Sequence, residues 1–298
     1  MQNFLKKTGV LILVFIALSC LIAFGSLRVL RQGNFYKPSF LEHGVEATAF
    51  DYIVLGSSTG LTTLNTQVID SVLGTHGLNL SMDDTALSSQ YLMLQHFINT
   101  GKKTKSCVLA ASIPDYNVVH PTLSGNDYRF LPYVSRDYVQ DYYSSFSGRP
   151  ARILSYSNWF PMLGVGYYNA ELFYPSLISL LEPQKRNRFD AFGNYSYPVT
   201  SKYSKPIEAR RQLKMNFQNP YIKRIQDLCA AHNIQLIVYL PPHEQIAAQP
   251  IEMPFYIINH STILQDTRYF YDAQHVNALG RQEVSLRFAL EVSGLVGF

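Results

Sequence analysis

Charge is what this chain has least of. Only 15% of its 298 residues are Asp, Glu, Lys or Arg, against 47% hydrophobic. That balance excludes a disordered or acidic solvating chain and allows a large buried core. The net charge is a modest +4. The basic residues fall into short clusters at Lys102, Lys103 and Lys105, at Lys185, Arg186 and Arg188, and at Arg210, Arg211 and Lys214. None lies beside a nucleic-acid-binding motif, so solvated surface is their default reading and no nucleic-acid partner is expected. An anionic glycan or lipid surface stays open as a partner. Cysteine is also scarce, with Cys20, Cys107 and Cys229 only. No CxxC pair or Cys/His spacing occurs, which excludes a zinc site of the usual kinds. Cys107 and Cys229 read as buried free thiols, although an exported domain could pair them. Neither a metal nor a cofactor is expected. There is one Trp and no internal repeat, but 21 Tyr and 18 Phe. Such tyrosines either fill a half-buried core or line a groove for polar ligands such as sugars.

The longest uncharged run is Thr8 to Leu27. Some twenty apolar residues are enough to cross a bilayer as a helix. Lys6 and Lys7 precede the run and Arg28 and Arg31 follow it, so flanking charge does not decide orientation. The short N-terminal flank favours an anchor with its N-terminus inside. A cleaved signal peptide and a lipoprotein site at Ala17-Leu18-Ser19-Cys20 are the alternatives. The expected organisation is a membrane anchor over 1–27, a linker over 28–48 and one domain over 49–298.

Within that domain, strands alternate with helices. Ala49–Leu55 (AFDYIVL), Gly77–Met82, Ser106–Ser112 and Ile234–Leu240 read as strands. Leu61–Leu73, Thr85–Thr100, Pro206–Ala231 and Asn277–Val292 read as helices. This rhythm predicts an α/β layer fold around a parallel sheet. It breaks from about 115 to 205, a stretch rich in Tyr, Ser, Asn, Gly and Pro with one or two helices near 151–182. A long excursion of this kind suggests a lid or binding region.

The first strand runs into Gly56-Ser57-Ser58-Thr59-Gly60. A strand, a tight turn and a helix expose a nucleophile beside unsatisfied helical N–H groups, which can hold an oxyanion. The string fits the G-x-S-x-G elbow of α/β-hydrolases. It also fits a Ser/Thr-rich cap or a phosphate-binding turn. Near the far end stands Tyr271-Asp272-Ala273-Gln274-His275-Val276-Asn277. A serine hydroxyl needs a base, and the base needs a carboxylate to fix its tautomer. Asp272 and His275 on one loop supply both, although each could equally cap or pack the last helix.

VLGSS and YDAQHVNALG together resemble the SGNH/GDSL hydrolase superfamily, over residues 49–295. In that family a serine in a G-D-S or G-S-S turn follows the first strand, and Asp-x-x-His precedes the last helix. The α/β-hydrolase alternative fits less well, because its elbow follows several strands and its acid and base usually come from separate loops. The resemblance implies a three-layer flavodoxin-like sheet and a catalytic triad of Ser58, His275 and Asp272. It implies oxyanion donors at Ser58, Asp84 and Asn117. Asp84 stands where the family has glycine after the second strand, and Asn117 near where it has the asparagine of G-x-N-D. Gly125-Asn126-Asp127 matches that block better in letters but lies deeper in the excursion. By resemblance to membrane-anchored proteins that acylate bacterial envelope polymers, the expected activity is a serine esterase or O-acyltransferase. Its substrate would be an acylated, first of all acetylated, cell-surface polysaccharide, and a polytopic membrane acyltransferase would be its partner. A non-catalytic assembly subunit and a lipid-directed esterase are the competing readings. The expected location is the cytoplasmic membrane, single-pass, with the domain on the extracytoplasmic side.

Overall fold

The computed structural model describes residues 1–199 and 204–294. In chain order, α1 is Gln2–Gln32 and α2 is Lys37–Ser39. Then come β1 (Ala49–Gly56), α3 (Ser58–Thr63), α4 (Thr66–Leu73), β2 (Gly77–Asn79), α5 (Leu87–Asn99) and β3 (Lys103–Ala110). Four helices follow: α6 (Asp137–Ser144), α7 (Arg149–Tyr156), α8 (Pro161–Tyr167) and α9 (Asn169–Leu181). The rest is β4 (Arg211–Met215), α10 (Pro220–Ala231), β5 (Gln235–Leu240), β6 (Ile246–Pro250), β7 (Tyr256–Asn259) and α11 (Ala278–Val292).

These elements form two compact units. The second unit comprises Val45–His120, Ser124–Asn126 and the chain from Arg188 onward. Its sheet has the order β2-β1-β3-β5-β7, and every pairing is parallel. The strands are buried on both faces toward their C-terminal ends, which explains their unbroken apolar runs. Alternate residues point to opposite faces. Tyr52, Val54, Val108 and Ile237 join a core with Ile69 of α4 and Val284 and Phe288 of α11. On the other face α5 packs against β1 and α10 against β5. Cys107 and Cys229 are both buried free thiols, as expected.

Several sequence boundaries shift. The expected helix over Leu61–Leu73 is broken at Leu64, where Asn65 turns and caps α4 through Gln67 N–H. The expected helix from Pro206 does not form. Residue 206 bridges Asp266, 211–215 form β4 beside β6, and the helix starts only at Pro220 behind the cap Asn219. A proline suits a first helical turn at either place. Asn219 supplies the cap that decides between them, because its side chain accepts from Tyr221 N–H. Strands β6 and β7 carry too short a pattern to be seen in the sequence.

The first unit comprises Met1–Gly44, Pro121–Leu123 and Asp127–Asn187. Its α1 outruns the expected anchor by five residues and ends at Gly33. The expected linker over 28–48 is not a free spacer. Leu30, Phe40 and Leu41 are buried, and both Glu42 carboxylate oxygens accept from Arg136 Nη2 at 2.8 Å. The excursion is not one inserted lid either, since most of it folds with α1. Its tyrosines are core here: Tyr128, Tyr133, Tyr142 and Tyr143 are buried. The hydroxyls of Tyr142 and Tyr143 donate to the Asp127 carboxylate and carbonyl. Residues 200–203 of that stretch, and the last four of the expected domain, lie outside the described residues.

Candidate active site

In a parallel sheet of this order, the strands on either side of β1 and β3 are reached by connections running opposite ways. The crevice at their C-terminal ends is where such sheets bind ligands. Ser58 stands there, as the first residue of α3 directly beyond the end of β1. The two glycines of the turn are required by close approach. A Cβ on Gly56 would lie 2.2 Å from the Ala110 carbonyl oxygen, and one on Gly60 would lie 2.7 Å from that oxygen and from Ser81 Oγ. Helix α3 therefore sits directly on the end of β3. Buried Ser57 hydrogen-bonds Thr59 at 3.0 Å, and Asn79 holds the helix by donating to the carbonyls of Gly60 and Leu64.

The loop before α11 carries the other two groups. His275 Nε2 is 2.8 Å from Ser58 Oγ. On the far side of the ring, Nδ1 lies 2.8 and 3.0 Å from the two Asp272 oxygens. An ionised Asp272 can only accept, so Nδ1 carries the proton and Nε2 is free to accept from the serine hydroxyl. Asp272 Oδ1 also accepts the backbone N–H groups of Gln274 and His275 at 3.0 and 2.9 Å. Burial alone would raise the Asp272 pKa. The His275 ring and these N–H groups outweigh it and hold the carboxyl below its ordinary value. The loop is closed by Tyr271 N–H donating to His275 C=O at 2.8 Å and by the Phe270–Val276 bridge. Asn277 then caps α11, accepting from Leu279 and Gly280 N–H.

Of the sequence-predicted residues, Ser58, His275 and Asp272 are brought into one hydrogen-bonded chain. Asp84 lies on the segment after β2. There Leu80 and Met82 donate to the carbonyls of Val54 and Gly56, laying 80–84 along the end of β1. Asp84 adopts φ +51°, in the left-handed region that favours glycine. Its carboxylate turns against Gly125, where a Cβ would lie 1.8 Å from Oδ2. Asn126 braces the same segment by donating to Asp83 C=O at 2.8 Å. Asn117 does not join the triad. Its amide donates to Lys214 C=O at 2.7 Å, and its oxygen accepts from Asn216 and Phe217 N–H. Both ends of the side chain are engaged in fastening the β4–α10 turn, so the expected oxyanion role is withdrawn. The N–H groups of the first turn of α3, Ser58's among them, have no acceptor within the helix.

Several neighbours of the triad were given no part in the sequence reading. Tyr197 and Tyr271 stack with centroids 4.2 Å apart and planes 7° apart, and Tyr197 also borders His275 at 5.3 Å. Tyr195 packs edge-on against Tyr197. Tyr271 opens the YDAQHVNALG block, whereas only the cluster Tyr195-Ser196-Tyr197 hinted at the other two, and it carries no periodicity that could place it. Another neighbour is His243. Its turn is tied to the triad loop by Glu244 N–H donating to Ala273 C=O at 2.8 Å. Burial, then Arg210, lower the His243 pKa to about 4. No group of three or more His, Cys, Asp or Glu that could hold a metal occurs among the described residues. Compared with known proteins, the chain matches no protein-family model and no curated protein.

Proposed function

We propose that this protein is a serine esterase or O-acyltransferase of SGNH type. The carrying observation is the relay from Ser58 Oγ through His275 to Asp272, with both bridging distances at 2.8 Å. The sheet order, reading 2-1-3-4-5 among its own strands, supports the flavodoxin-like variant of the α/β fold.

In the first step Ser58 Oγ attacks an ester carbonyl and its proton passes to His275 Nε2. Asp272 stabilises the imidazolium. The oxyanion is received by backbone N–H groups at the start of α3 and in the segment bearing Asp84. Collapse breaks the ester C–O bond, the alcohol leaves with the His275 proton, and an acyl group stays on Ser58. Water or an acceptor hydroxyl, deprotonated by His275, then releases the acyl group. The substrate is an acyl, first of all acetyl, ester of a cell-surface polysaccharide. The Tyr195–Tyr197–Tyr271 wall beside His275 offers the flat aromatic faces on which sugar rings stack. Helix α1 is long and apolar enough to cross a membrane. It anchors the protein in the cytoplasmic membrane with the second unit outside, alongside a polytopic membrane acyltransferase.

A fluorophosphonate probe tests the nucleophile. The wild-type chain is labelled, and Ser58→Ala and His275→Ala are not. Equal labelling of Ser58→Ala, or no labelling of a folded wild type, would overturn the proposal.

A further inference from the structure

Helix α9 turns most of its large apolar side chains outward. A helix facing water turns its apolar stripe inward and its polar residues outward. On α9 the buried positions are Leu172, Pro175, Ser176 and Ser179, whereas Phe173, Tyr174, Leu177, Leu180 and Leu181 are exposed. Leu181 keeps 81% of its surface open and Trp159, just before α8, keeps 76%. Phe160, Leu163 and Tyr167 are exposed as well. Glu171 is the only charged residue between 159 and 181. Where α9 meets the end of α1, the contact is made by small groups. A Cβ on Gly33, at the end of α1, would lie 3.0 Å from Ser179 Cβ. Small residues at the helix contact, with large apolar ones outside, is how helices associate in lipid, where no hydrophobic force draws Leu inward.

The contact with α1 sets the depth. Helices α8 and α9 both pack on α1. The buried residues of α1 are Ala23, Ser26, Leu27 and Leu30. The contact therefore overlaps the last turn of the uncharged run Thr8–Leu27 and the turn beyond it. Twenty helical residues span about 30 Å, the thickness of the hydrocarbon core. If that run fills the core, α8 and α9 stand at its outer boundary, level with Arg28 and Arg31. Tryptophan and tyrosine concentrate at this level in membrane proteins.

We propose that α8 and α9 are seated in the bilayer interface. Trp159, Phe160, Tyr174, Leu177 and Leu180 enter the acyl-chain boundary of the leaflet where α1 emerges. The occupant of this face is lipid. The placement rests on the proposed membrane crossing of α1 and is independent of the esterase chemistry.

Trp159 is the only tryptophan, so its emission reports this surface without any substitution. The full chain is reconstituted in phosphatidylcholine–phosphatidylglycerol vesicles, with or without bromine on the upper acyl carbons. Cys20, on α1, carries a fluorescent maleimide as a separate reporter, because Cys107 and Cys229 are buried. The expected result is strong quenching of Trp159 by brominated lipid and little by aqueous iodide, with Cys20 also quenched by the lipid. If Cys20 is quenched by lipid while Trp159 responds to iodide alone, the interfacial seat is wrong and the anchor stands. If neither responds to lipid, the anchor fails and the seat with it. Trp159 shielded only when a second membrane protein is added back would assign the face to protein and overturn the lipid proposal.

Discussion

Replacing Asp272 by Asn separates a working triad from a coincidence of hydrogen bonds. Asp272 Oδ1 accepts two backbone N–H groups at 2.9 and 3.0 Å, and Oδ2 faces His275 Nδ1 at 2.8 Å. An asparagine keeps the loop by placing its carbonyl oxygen at Oδ1, which leaves its NH₂ pointing at Nδ1. Two donors cannot share that contact, so His275 must move its proton to Nε2 and present Nδ1 as acceptor. Nε2 then donates toward Ser58 and can no longer take its proton. The expected loss is about 10⁴-fold in kcat, equivalent to about 5.5 kcal/mol of barrier. Folding should change far less. The Asp272 side chain is 46% exposed, so solvent screens its pairing with His275 and the stability cost stays within about 1 kcal/mol. The assay is hydrolysis of 4-nitrophenyl acetate together with a thermal melt. Asp272→Ala, which leaves His275 free to choose its tautomer, should retain at least as much activity as the Asn variant. An Asn variant within about tenfold of wild type, while Ser58→Ala is dead, would refute the assigned tautomer and with it the role of Asp272.

Three other outcomes follow from the same geometry. Gly60→Ala must push α3 off the end of β3, because the new Cβ would lie 2.7 Å from a backbone carbonyl oxygen. A nucleophile displaced by about 1 Å loses roughly 10²-fold in rate, and unchanged esterase kinetics would contradict the close approach. Tyr197→Ala should raise KM for an acetylated oligosaccharide by roughly tenfold, the worth of an aromatic stacking contact, with little effect on 4-nitrophenyl acetate. Equal losses on both substrates would make Tyr197 structural only. His243, held near 4 against an ordinary 6.5, stays neutral in the folded protein while the unfolded chain takes up a proton. Stability therefore falls as pH drops from 6.5 toward 4. With the ring only partly buried, this amounts to about 1 kcal/mol after screening. His243→Gln should flatten that part of the melting-temperature profile relative to wild type.

The sheet was legible in the sequence because parallel strands buried on both faces leave unbroken apolar runs, as in AFDYIVL and QLIVYL. The juxtaposition of Ser58, His275 and Asp272 was legible because the proposed chemistry admits few residue types and these positions fall at a strand end and before a helix cap. What escaped was set by distant partners. Nothing local to Asn117 announces that its amide will be engaged by Lys214, some hundred residues away in sequence. The tyrosines of the excursion read equally as groove or core, and Tyr142 and Tyr143 were resolved only by a buried Asp127 that accepts from both. Residues 28–48 looked like a spacer because their polar residues have no period, yet Glu42 is held by Arg136, almost a hundred residues further on.

Ser58 and His275 are 217 residues apart, and α11 is what brings their two blocks together. It starts at the cap that ends the Asp272–His275 loop, and Gly280 lets its first turn approach Tyr269, whose carbonyl oxygen would lie 2.3 Å from a Cβ there. One turn on, the helix reaches the loop that leaves α3. Arg281 donates to Leu64 C=O at 3.2 Å, and Ser285 Oγ accepts from Asn65 N–H at 2.9 Å. Arg281 is only 6% exposed, and burial pulls its pKa down to about 10 against the opposing pull of Asp190. Its Nε finds no partner among the described residues. A buried, incompletely satisfied guanidinium is a poor source of stability, since desolvation offsets most of what its hydrogen bond returns. Its contribution is positional, because it fixes the exit of α3 against α11. The same helix thus holds both the His275 loop and the segment that carries Ser58, and the 2.8 Å contact between them rests on one element's packing.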